Sequence, residues 1–327
     1  MSGREKIEAL VEQLQDPTQS HGAVLALAVE GQDAVQPLTK FLLSSEPSSL
    51  SEPRLLAVEC LSIIGGMEAL DALLSVSMVR LGEISDPITR LAEEAVVSRA
   101  ALALADFPDE PRARETLLDL LQEKPLTGVA EAFFKLKDPR ALPGLVSWLE
   151  EDFVAEAAWR AIAACGSAAI PSLLRSLTEK HVRYGSETKA SRRRRARILA
   201  ILCELAEPSD VTGLEDLLED PAEGIRWNVL RLLINKGSEA QKQRALRVSM
   251  EFLDSSDRFM RSECEELLLA HFDLGRPLIE AEIRYRQTRG GSEESFEPGE
   301  TTLAILLRIF RKGSEERKLR GVRASSA

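Results

Sequence analysis

The chain has 327 residues, of which 44% are hydrophobic, so it can bury a sizeable core. Residues 1–180 hold 16 Lys and Arg against 28 Asp and Glu (−12), whereas residues 181–327 hold 26 against 25 (+1). The acidic first half argues against a protein wrapped along its length in nucleic acid. No run of about 18 uncharged apolar residues occurs, and the N-terminus lacks the apolar core of a signal peptide, so we expect a cytoplasmic protein without a membrane span.

The predicted elements begin with a helix at 4–15 that ends at Asp16–Pro17. A pattern then recurs, in which an apolar helix is followed by a short turn and by a second helix that opens with a small residue or a proline. These pairs start near residues 20, 52, 90, 126, 153, 191, 222 and 257. Repetition of this kind predicts an all-α chain built from stacked helical hairpins.

The segment 155–177 shows the physics of one such pair. Ala158, Ile162 and Cys165 are spaced so that they share one face of a helix. Gly166 is expected to end that helix, and Pro171 falls in the first turn of the next, where a missing N–H costs nothing. A hairpin of this kind cannot bury both apolar stripes alone, so neighbouring pairs are expected to complete the core.

Two segments carry a resemblance to a known family. DPRALPGLVSWLEED at 138–152, with the AWRAIAACGSAAIPSLL that follows, resembles the HEAT-like repeats also seen in phycobilisome lyase subunits. EDPAEGIRWNVLRLLINKG at 219–237 shows the same Asp-Pro turn and an aliphatic-arginine pair, Ile225 and Arg226, and 255–272 is a weaker copy. The resemblance covers roughly residues 20–285 and implies a right-handed α-solenoid (superhelix) of HEAT-like helical-hairpin repeats, with about eight helix pairs in 1–286.

The C-terminal region is predicted to lie outside the repeats. Residues 287–299 are polar and Gly-rich, which is typical of a flexible linker. Residues 300–312 form an amphipathic pattern that predicts a last helix. Residues 313–327 form a basic tail that we expect to be disordered.

Residues that could carry chemistry are few and scattered. No histidine stands in a His-Glu pair, no two cysteines form a CxxC motif, and no GxSxG or phosphate-binding loop occurs. The cysteines lie in apolar helical patterns and are interpreted as reduced core residues, and the tryptophans are interpreted as packing residues. We therefore expect no catalytic, cofactor-binding or metal-binding residue. The residues concerned are Cys60, Cys165, Cys203, Cys264, His21, His181, His271, Trp148, Trp159 and Trp227.

A basic run at the start of a predicted helix is the sharpest local feature, and it follows an unusually long connection at 178–191. Helical geometry with an apolar seam through Ala196, Leu199 and Cys203 places Arg194 pointing outward. Cations in a first helical turn oppose the helix dipole, so they need acidic neighbours such as Glu187 or an anionic partner. Both alternatives stay open. The candidate partner-binding residues are Lys189, Arg192, Arg193, Arg194, Arg195 and Arg197.

These observations predict a non-catalytic interaction scaffold that needs no cofactor and binds a protein partner on its concave repeat surface. An acidic or phosphorylated partner would suit the basic run. One alternative, implied by the family resemblance alone, is a phycobilisome-lyase-like protein that handles a tetrapyrrole. The other is a nucleic-acid-binding HEAT-like protein that uses Arg192–Arg197, which the acidic first half disfavours.

Overall fold

Helices make up nearly all the regular structure of the described chain, as its Ala- and Leu-rich composition predicts. The structure is a computed structural model that describes residues 3–44, 50–79, 81–289 and 301–324. Within those ranges the only strands are two of two residues each. The all-α prediction is therefore confirmed. Contacts divide the chain into two units, Met1–Ile198 (unit 1) and Leu199–Ala327 (unit 2).

Unit 1 consists of a single helix followed by successive helix pairs. In each pair we call the earlier helix the first helix and the later one the second helix. The helices are α1 (Gly3–Gln13), the pair α2 (Ser20–Glu30) and α3 (Gln32–Ser44), the pair α4 (Glu52–Ile64) and α5 (Gly66–Ser77), the pair α6 (Pro87–Leu104) and α7 (Pro111–Glu123), the pair α8 (Thr127–Leu136) and α9 (Leu142–Trp148), and the pair α10 (Ala155–Ala164) and α11 (Ile170–Thr178). Each predicted pair start lies within three residues of the observed one.

The helices of unit 1 pack in two rows. Each first helix packs against the first helix of the next pair, from α2 through α4, α6 and α8 to α10. The second helices do the same from α3 through α5, α7 and α9 to α11. Large apolar side chains at equivalent places near the ends of the first helices are fully buried between neighbours. These side chains are Leu27, Leu61, Leu104, Phe133 and Ile162.

The turn between α10 and α11 forms as its sequence predicts. Ala158 and Ile162 are completely buried, and Pro171 lies in the first turn of α11. Gly166 has a φ of 58°, a left-handed conformation that glycine adopts without steric cost, and it opens a short 3-10 helix, Gly166–Ala169. No single described helix is long and apolar enough to cross a membrane, and the pair Ala155–Ala164 and Gly166–Thr178, which passes by length and composition, is bent by 119°.

Unit 2 begins within α12 and continues the alternation of helices, with short 3-10 helices at Leu214–Glu219 and Met250–Asp254. The helices are α12 (Lys189–Leu205), α13 (Glu223–Lys236), α14 (Glu239–Ser249), α15 (Arg258–Ala270), α16 (Phe272–Arg289) and α17 (Thr302–Ala324). The starts of α12, α13 and α15 agree with the pair starts predicted near 191, 222 and 257. Trp227 packs on Phe252 with ring centroids 5.1 Å apart, in the apolar core of this unit.

The C-terminal prediction is wrong in part. The helix predicted at 300–312 continues as α17 to Ala324, so the described residues of the predicted tail, 313–324, are helical and not disordered. The Glu, Arg, Lys and Leu that fill this stretch are good helix formers, and α17 packs against α15 and α16. Residues 287–289 of the predicted linker belong to α16, and 290–299 lie outside the described residues.

Candidate functional site

The connection at 178–191 folds into a β-hairpin between α11 and α12. β1 (Val182–Arg183) pairs antiparallel with β2 (Ser186–Glu187). Tyr184 and Gly185 form the two-residue turn, and both have positive φ, 53° and 78°. That combination is the one a type I′ turn requires, and its twist matches that of the paired strands. We call this feature, residues 182–187, the hairpin.

Hydrogen bonds tie the base of the hairpin to the first turn of α12. The Thr188 amide donates to the His181 carbonyl oxygen at 2.8 Å, and the Ser191 amide donates to the Thr188 hydroxyl at 3.1 Å. The buried Ser191 hydroxyl donates to a Glu187 carboxylate oxygen at 2.7 Å and accepts from the His181 amide at 3.1 Å. The hairpin and α12 therefore meet in a fixed geometry.

Two arginines of the predicted basic run are buried at the end of α11, with exposed fractions of 2% for Arg194 and 0% for Arg195. Arg195 donates from Nε to the Leu177 carbonyl oxygen and from Nη1 to a Glu187 carboxylate oxygen, both at 2.9 Å. Arg194 donates from Nη2 to the Glu179 carbonyl oxygen at 2.6 Å. The last carbonyls of a helix have no partner within it, so these arginines cap α11.

Two further arginines bind in the same way just beyond the end of α9. Arg197 donates to the Leu149 carbonyl oxygen at 2.5 Å, and Arg193 donates to the Glu150 carbonyl oxygen at 3.3 Å. Both also hold Asp152, at 2.7 Å and 2.6 Å. The hydrogen bond from Arg197 lowers the pKa of the Asp152 carboxyl below its ordinary value, so Asp152 is ionised at neutral pH.

The positions of these four arginines explain how their positive charges are stabilised. Cations in the first turn of a helix are disfavoured by the positive end of its dipole, but α12 begins at Lys189, so Arg193–Arg197 lie past that turn. Here the same guanidiniums lie at the negative ends of α9 and α11, whose dipoles favour cations by about 0.3–1 kcal/mol each. The carboxylates of Glu150, Asp152 and Glu187 also form ion pairs with these guanidiniums.

A carboxylate, an imidazole and a guanidinium meet beside the hairpin. A Glu150 carboxylate oxygen accepts from Arg194 Nη1 at 2.8 Å and lies 2.9 Å from His181 Nδ1. Arg194 Nη1 also lies 3.2 Å from His181 Nε2. A neutral imidazole with its proton on Nδ1 satisfies both contacts, because Nδ1 then donates to Glu150 while Nε2 accepts from Arg194.

No known family model matches the chain, and no curated protein matches it. The resemblance to HEAT-like repeats therefore rests on the residue patterns quoted above. One of those patterns places an arginine near the start of a first helix. In unit 2 such an arginine donates to a backbone carbonyl at the end of the preceding element, as the arginines of α12 do. Arg226 in α13 donates to the Asp220 carbonyl oxygen at 2.9 Å, and Arg261 in α15 donates to the Ser255 carbonyl oxygen at 2.8 Å. Each accepting carbonyl ends the preceding 3-10 helix, so capping the element before it is a recurrent role of arginine in this chain.

The structure thus divides the predicted partner-binding residues into two groups. Arg193, Arg194, Arg195 and Arg197 are engaged by carbonyls and carboxylates of unit 1, whereas Lys189 and Arg192 are exposed. The expectation that Arg194 points outward is wrong. Of the predicted seam of α12, Leu199 is fully buried whereas Ala196 and Cys203 are only half-buried. The buried side of the helix is centred on Ser191, Arg195, Ile198 and Leu202, so the helix is rotated from the predicted phase. Whether any of the six binds a partner stays a prediction.

Sequence reasoning did not single out the exposed tip of the hairpin. Tyr184 is 92% exposed, Val182 is 61% exposed, and the Arg183 guanidinium lies 5.2 Å from the centre of the Tyr184 ring. A residue followed by glycine, with short stretches of polar and β-branched residues on both sides, predicts a two-residue hairpin. This prediction is weaker when the residue before the glycine is Tyr than when it is Asn or Asp.

The cysteines occupy the apolar positions that the sequence predicts. All four are free thiols, with Cys60 and Cys264 buried and Cys165 and Cys203 half-buried. Burial raises the pKa of the Cys60 and Cys264 thiols to about 12, so they are protonated and unreactive at neutral pH. Within the described ranges, no three or more His, Cys, Asp or Glu side chains are grouped so that they could hold a metal ion.

Proposed function

We propose that this protein is a non-catalytic interaction scaffold, built as a right-handed HEAT-like α-solenoid that binds a protein partner on a concave surface lined by the second helices. In such an arrangement each pair contacts only its neighbours, and the row of second helices becomes one extended surface. A fold of this kind does not by itself fix a function, so the residues displayed along that surface decide what it binds.

The observation that carries this proposal is the uninterrupted row of second helices from α3 to α11 in unit 1. Each of these helices buries one stripe of side chains and leaves the opposite stripe to solvent. In α11, for example, Leu173 and Leu177 are completely buried whereas Arg175 is exposed. Repetition of this division along the row leaves a continuous polar surface that a partner can cover.

Ion pairs between neighbouring elements mark this surface. Arg112 of α7 binds Asp71 of α5 at 2.8 Å, and Arg140, just before α9, binds Glu115 of α7 at 2.9 Å. All four side chains are at least half exposed, so each pair is worth little to stability. The charges of these two pairs can therefore change partners when another protein binds. Arg140 also binds the largely buried Asp138 at 2.7 Å, so Arg112 is the cation that can be replaced with the smaller structural effect.

The two alternative functions, nucleic-acid binding and tetrapyrrole handling, would use different features of the molecule. Nucleic-acid binding through the basic run would rely on Lys189 and Arg192, since the other four members are engaged within unit 1. A tetrapyrrole-handling protein would retain pigment, and absorbance of the purified chain in the visible range tests that alternative directly.

The scaffold proposal is tested by cross-linking the tagged full chain to its partners in its native cells, followed by mass spectrometry. The test variant reverses an exposed second-helix charge with Arg112→Glu, which pairs with Asp71. The control variant reverses a similarly exposed cation of the first-helix row with Lys135→Glu, which pairs with Asp106.

The proposal predicts a partner whose cross-links fall on α5, α7 and α9 and whose yield drops at least several-fold in the test variant only. Equal yields from the parent and both variants would contradict it, as would cross-links confined to the first helices. Turnover of a small molecule by the purified chain would overturn the non-catalytic part.

A further inference from the structure

The geometry of the hairpin points to a second contact surface. We propose that residues 182–187 form a rigid docking arm that binds an extended, carboxylate-rich segment of a partner protein. This inference rests on the proposed scaffold function and adds to it the place and the chemistry of one contact. In this proposal the exposed tip of the hairpin contacts the partner, and the buried Arg194 and Arg195 support the hairpin.

Buried charged side chains hold the base of the hairpin in place. Arg194 and Arg195 are the two largest fully buried side chains among the described residues, and removing a guanidinium from water is costly. Their hydrogen bonds to the α11 carbonyls and to Glu187 offset that cost and fix the base of a hairpin whose own tip buries almost nothing. A connection between two helices does not require such a base. A pre-organised arm does, because ordering a loop on binding weakens the affinity.

The tip of the hairpin exposes side chains of the types that are common at protein interfaces. Tyr184 is almost fully exposed and Val182 is mostly exposed, side by side with the Arg183 guanidinium. Tyrosine and arginine are enriched among the residues that dominate binding energy at protein interfaces. The left-handed φ of Tyr184, which is uncommon for a residue with a Cβ, holds this ring at the point of the turn.

The segment that contains the hairpin is positively charged, whereas unit 1 as a whole is acidic. Residues 178–192 hold four cations, Lys180, Arg183, Lys189 and Arg192, all exposed, against Glu179 and Glu187, which gives a net charge of +2. Unit 1 as a whole holds 23 Lys and Arg against 29 Asp and Glu, a net charge of −6. The segment 178–192, which includes the hairpin, is thus a positive patch on an acidic unit, which attracts a short acidic segment but repels a long polyphosphate chain.

The hairpin also has a strand edge, which suits an extended segment. Val182 and Glu187 are directly opposite each other, one position back from the pair Arg183 and Ser186 that flanks the turn. In a two-residue hairpin this opposite pair is the one whose backbone N–H and C=O groups point away from the neighbouring strand. An extended peptide can add to such an edge through its main chain while its carboxylates meet the cations.

The test uses the full chain and a capped, fluorescent peptide in which glutamate alternates with valine and threonine. A matched peptide with lysine in place of glutamate and a short single-stranded oligonucleotide serve as competing probes. Affinities are measured by fluorescence anisotropy at low and at physiological salt.

Two variants remove the proposed contacts without breaking the hairpin. Tyr184→Asn deletes the ring and creates Asn-Gly, a favoured sequence for this turn. Arg183→Gln with Lys189→Gln removes two exposed charges. The control, Arg4→Gln with Lys6→Gln, removes two equally exposed charges in α1, where the side chains are 83% and 57% exposed. All four proteins are expected to melt alike.

The inference predicts that the parent binds the glutamate peptide and not the lysine peptide. Each hairpin variant should weaken binding by about tenfold, and the control should stay within about twofold. Absence of glutamate-peptide binding, or equal affinities in all four proteins, overturns the inference. Tighter binding of the oligonucleotide, with the same losses in the hairpin variants, overturns it in favour of nucleic acid. A cross-linked partner on the second helices that persists in Tyr184→Asn would leave the scaffold proposal standing.

Discussion

Arg195 in α12 donates from Nε to the carbonyl oxygen of Leu177 in α11 at 2.9 Å, so a residue in the second turn of one helix caps the end of another. The same guanidinium holds Glu187 of the hairpin at 2.9 Å. The buried Arg195 side chain therefore joins α11, the hairpin and α12, and removing it should destabilise the contacts among all three.

Replacing Arg195 by Met should lower the free energy of unfolding by about 3–5 kcal/mol, the range typical of breaking a buried ion pair by removing one partner. The variant leaves the half-buried Glu187 carboxylate and the Leu177 carbonyl without their donor. Urea unfolding measures the loss. Arg192→Met is the matched control, because it makes the same change of charge and shape three residues earlier at an exposed position, and it should shift stability by less than about 0.5 kcal/mol. Equal losses from both variants would contradict the capping role of Arg195.

A second buried ion pair lies in the row of first helices, and its removal should also change stability. Arg54 of α4 donates to Glu93 of α6 at 2.9 Å, with side chains only 6% and 1% exposed, and three of their other polar atoms have no partner. Glu93→Leu alone should cost about 3–5 kcal/mol, since it buries an unpaired guanidinium. Adding Arg54→Met should restore most of that stability. Thermal and urea unfolding of the single and double variants check this, and additive losses would count against it.

Glycines in two first helices should respond oppositely to alanine. Gly128 lies in the first turn of α8, donates to the Ser98 hydroxyl of α6 at 2.8 Å, and has no room for a Cβ, which would overlap the Ser98 carbonyl oxygen. Gly128→Ala should therefore force α8 away from α6 and cost about 1–3 kcal/mol or more. Gly22 in α2 has open space around it, so Gly22→Ala should raise stability by about 0.4–1 kcal/mol. A stable Gly128→Ala protein would show that the two helices are less closely packed than described.

Unit 2 should lose stability in acid through Glu265. The hydrogen bond from Arg308, at 2.9 Å, lowers the pKa of this carboxyl below its ordinary value of 4.5. A carboxyl whose folded pKa is depressed contributes stability above its unfolded pKa and loses it as the pH falls through the folded pKa. Stability should therefore drop below about pH 4.5, and Arg308→Met should flatten that drop.

Denaturant unfolding across this pH range makes the comparison. Arg317→Met is a suitable control for Arg308→Met, since Arg317 pairs with Asp273 at 3.3 Å with both side chains more than half exposed. It should leave the pH dependence close to that of the parent. Parallel curves for the parent and Arg308→Met would exclude the proposed linkage.

The sequence by itself determined the helix pairs, because they depend on local physics. Apolar residues at helical spacing, a glycine able to adopt positive φ at 166 and a proline tolerated in a first helical turn at 171 act within a few residues of one another. Such signals located the starts of the first helices throughout the repeats. They failed for 313–324, which continue α17, a helix that packs on α15 and α16.

Only the tertiary structure decided what the arginines do. The carbonyls that hold Arg193 and Arg197 lie more than forty residues earlier in the chain, and those that hold Arg194 and Arg195 lie across the hairpin. A helical wheel drawn for α12 alone counts arginine as polar and turns it outward, whereas packing brings the unpaired ends of α9 and α11 against that side of the helix. Burial of a charge depends on which partners arrive from elsewhere in the fold, and that information is absent from the local sequence.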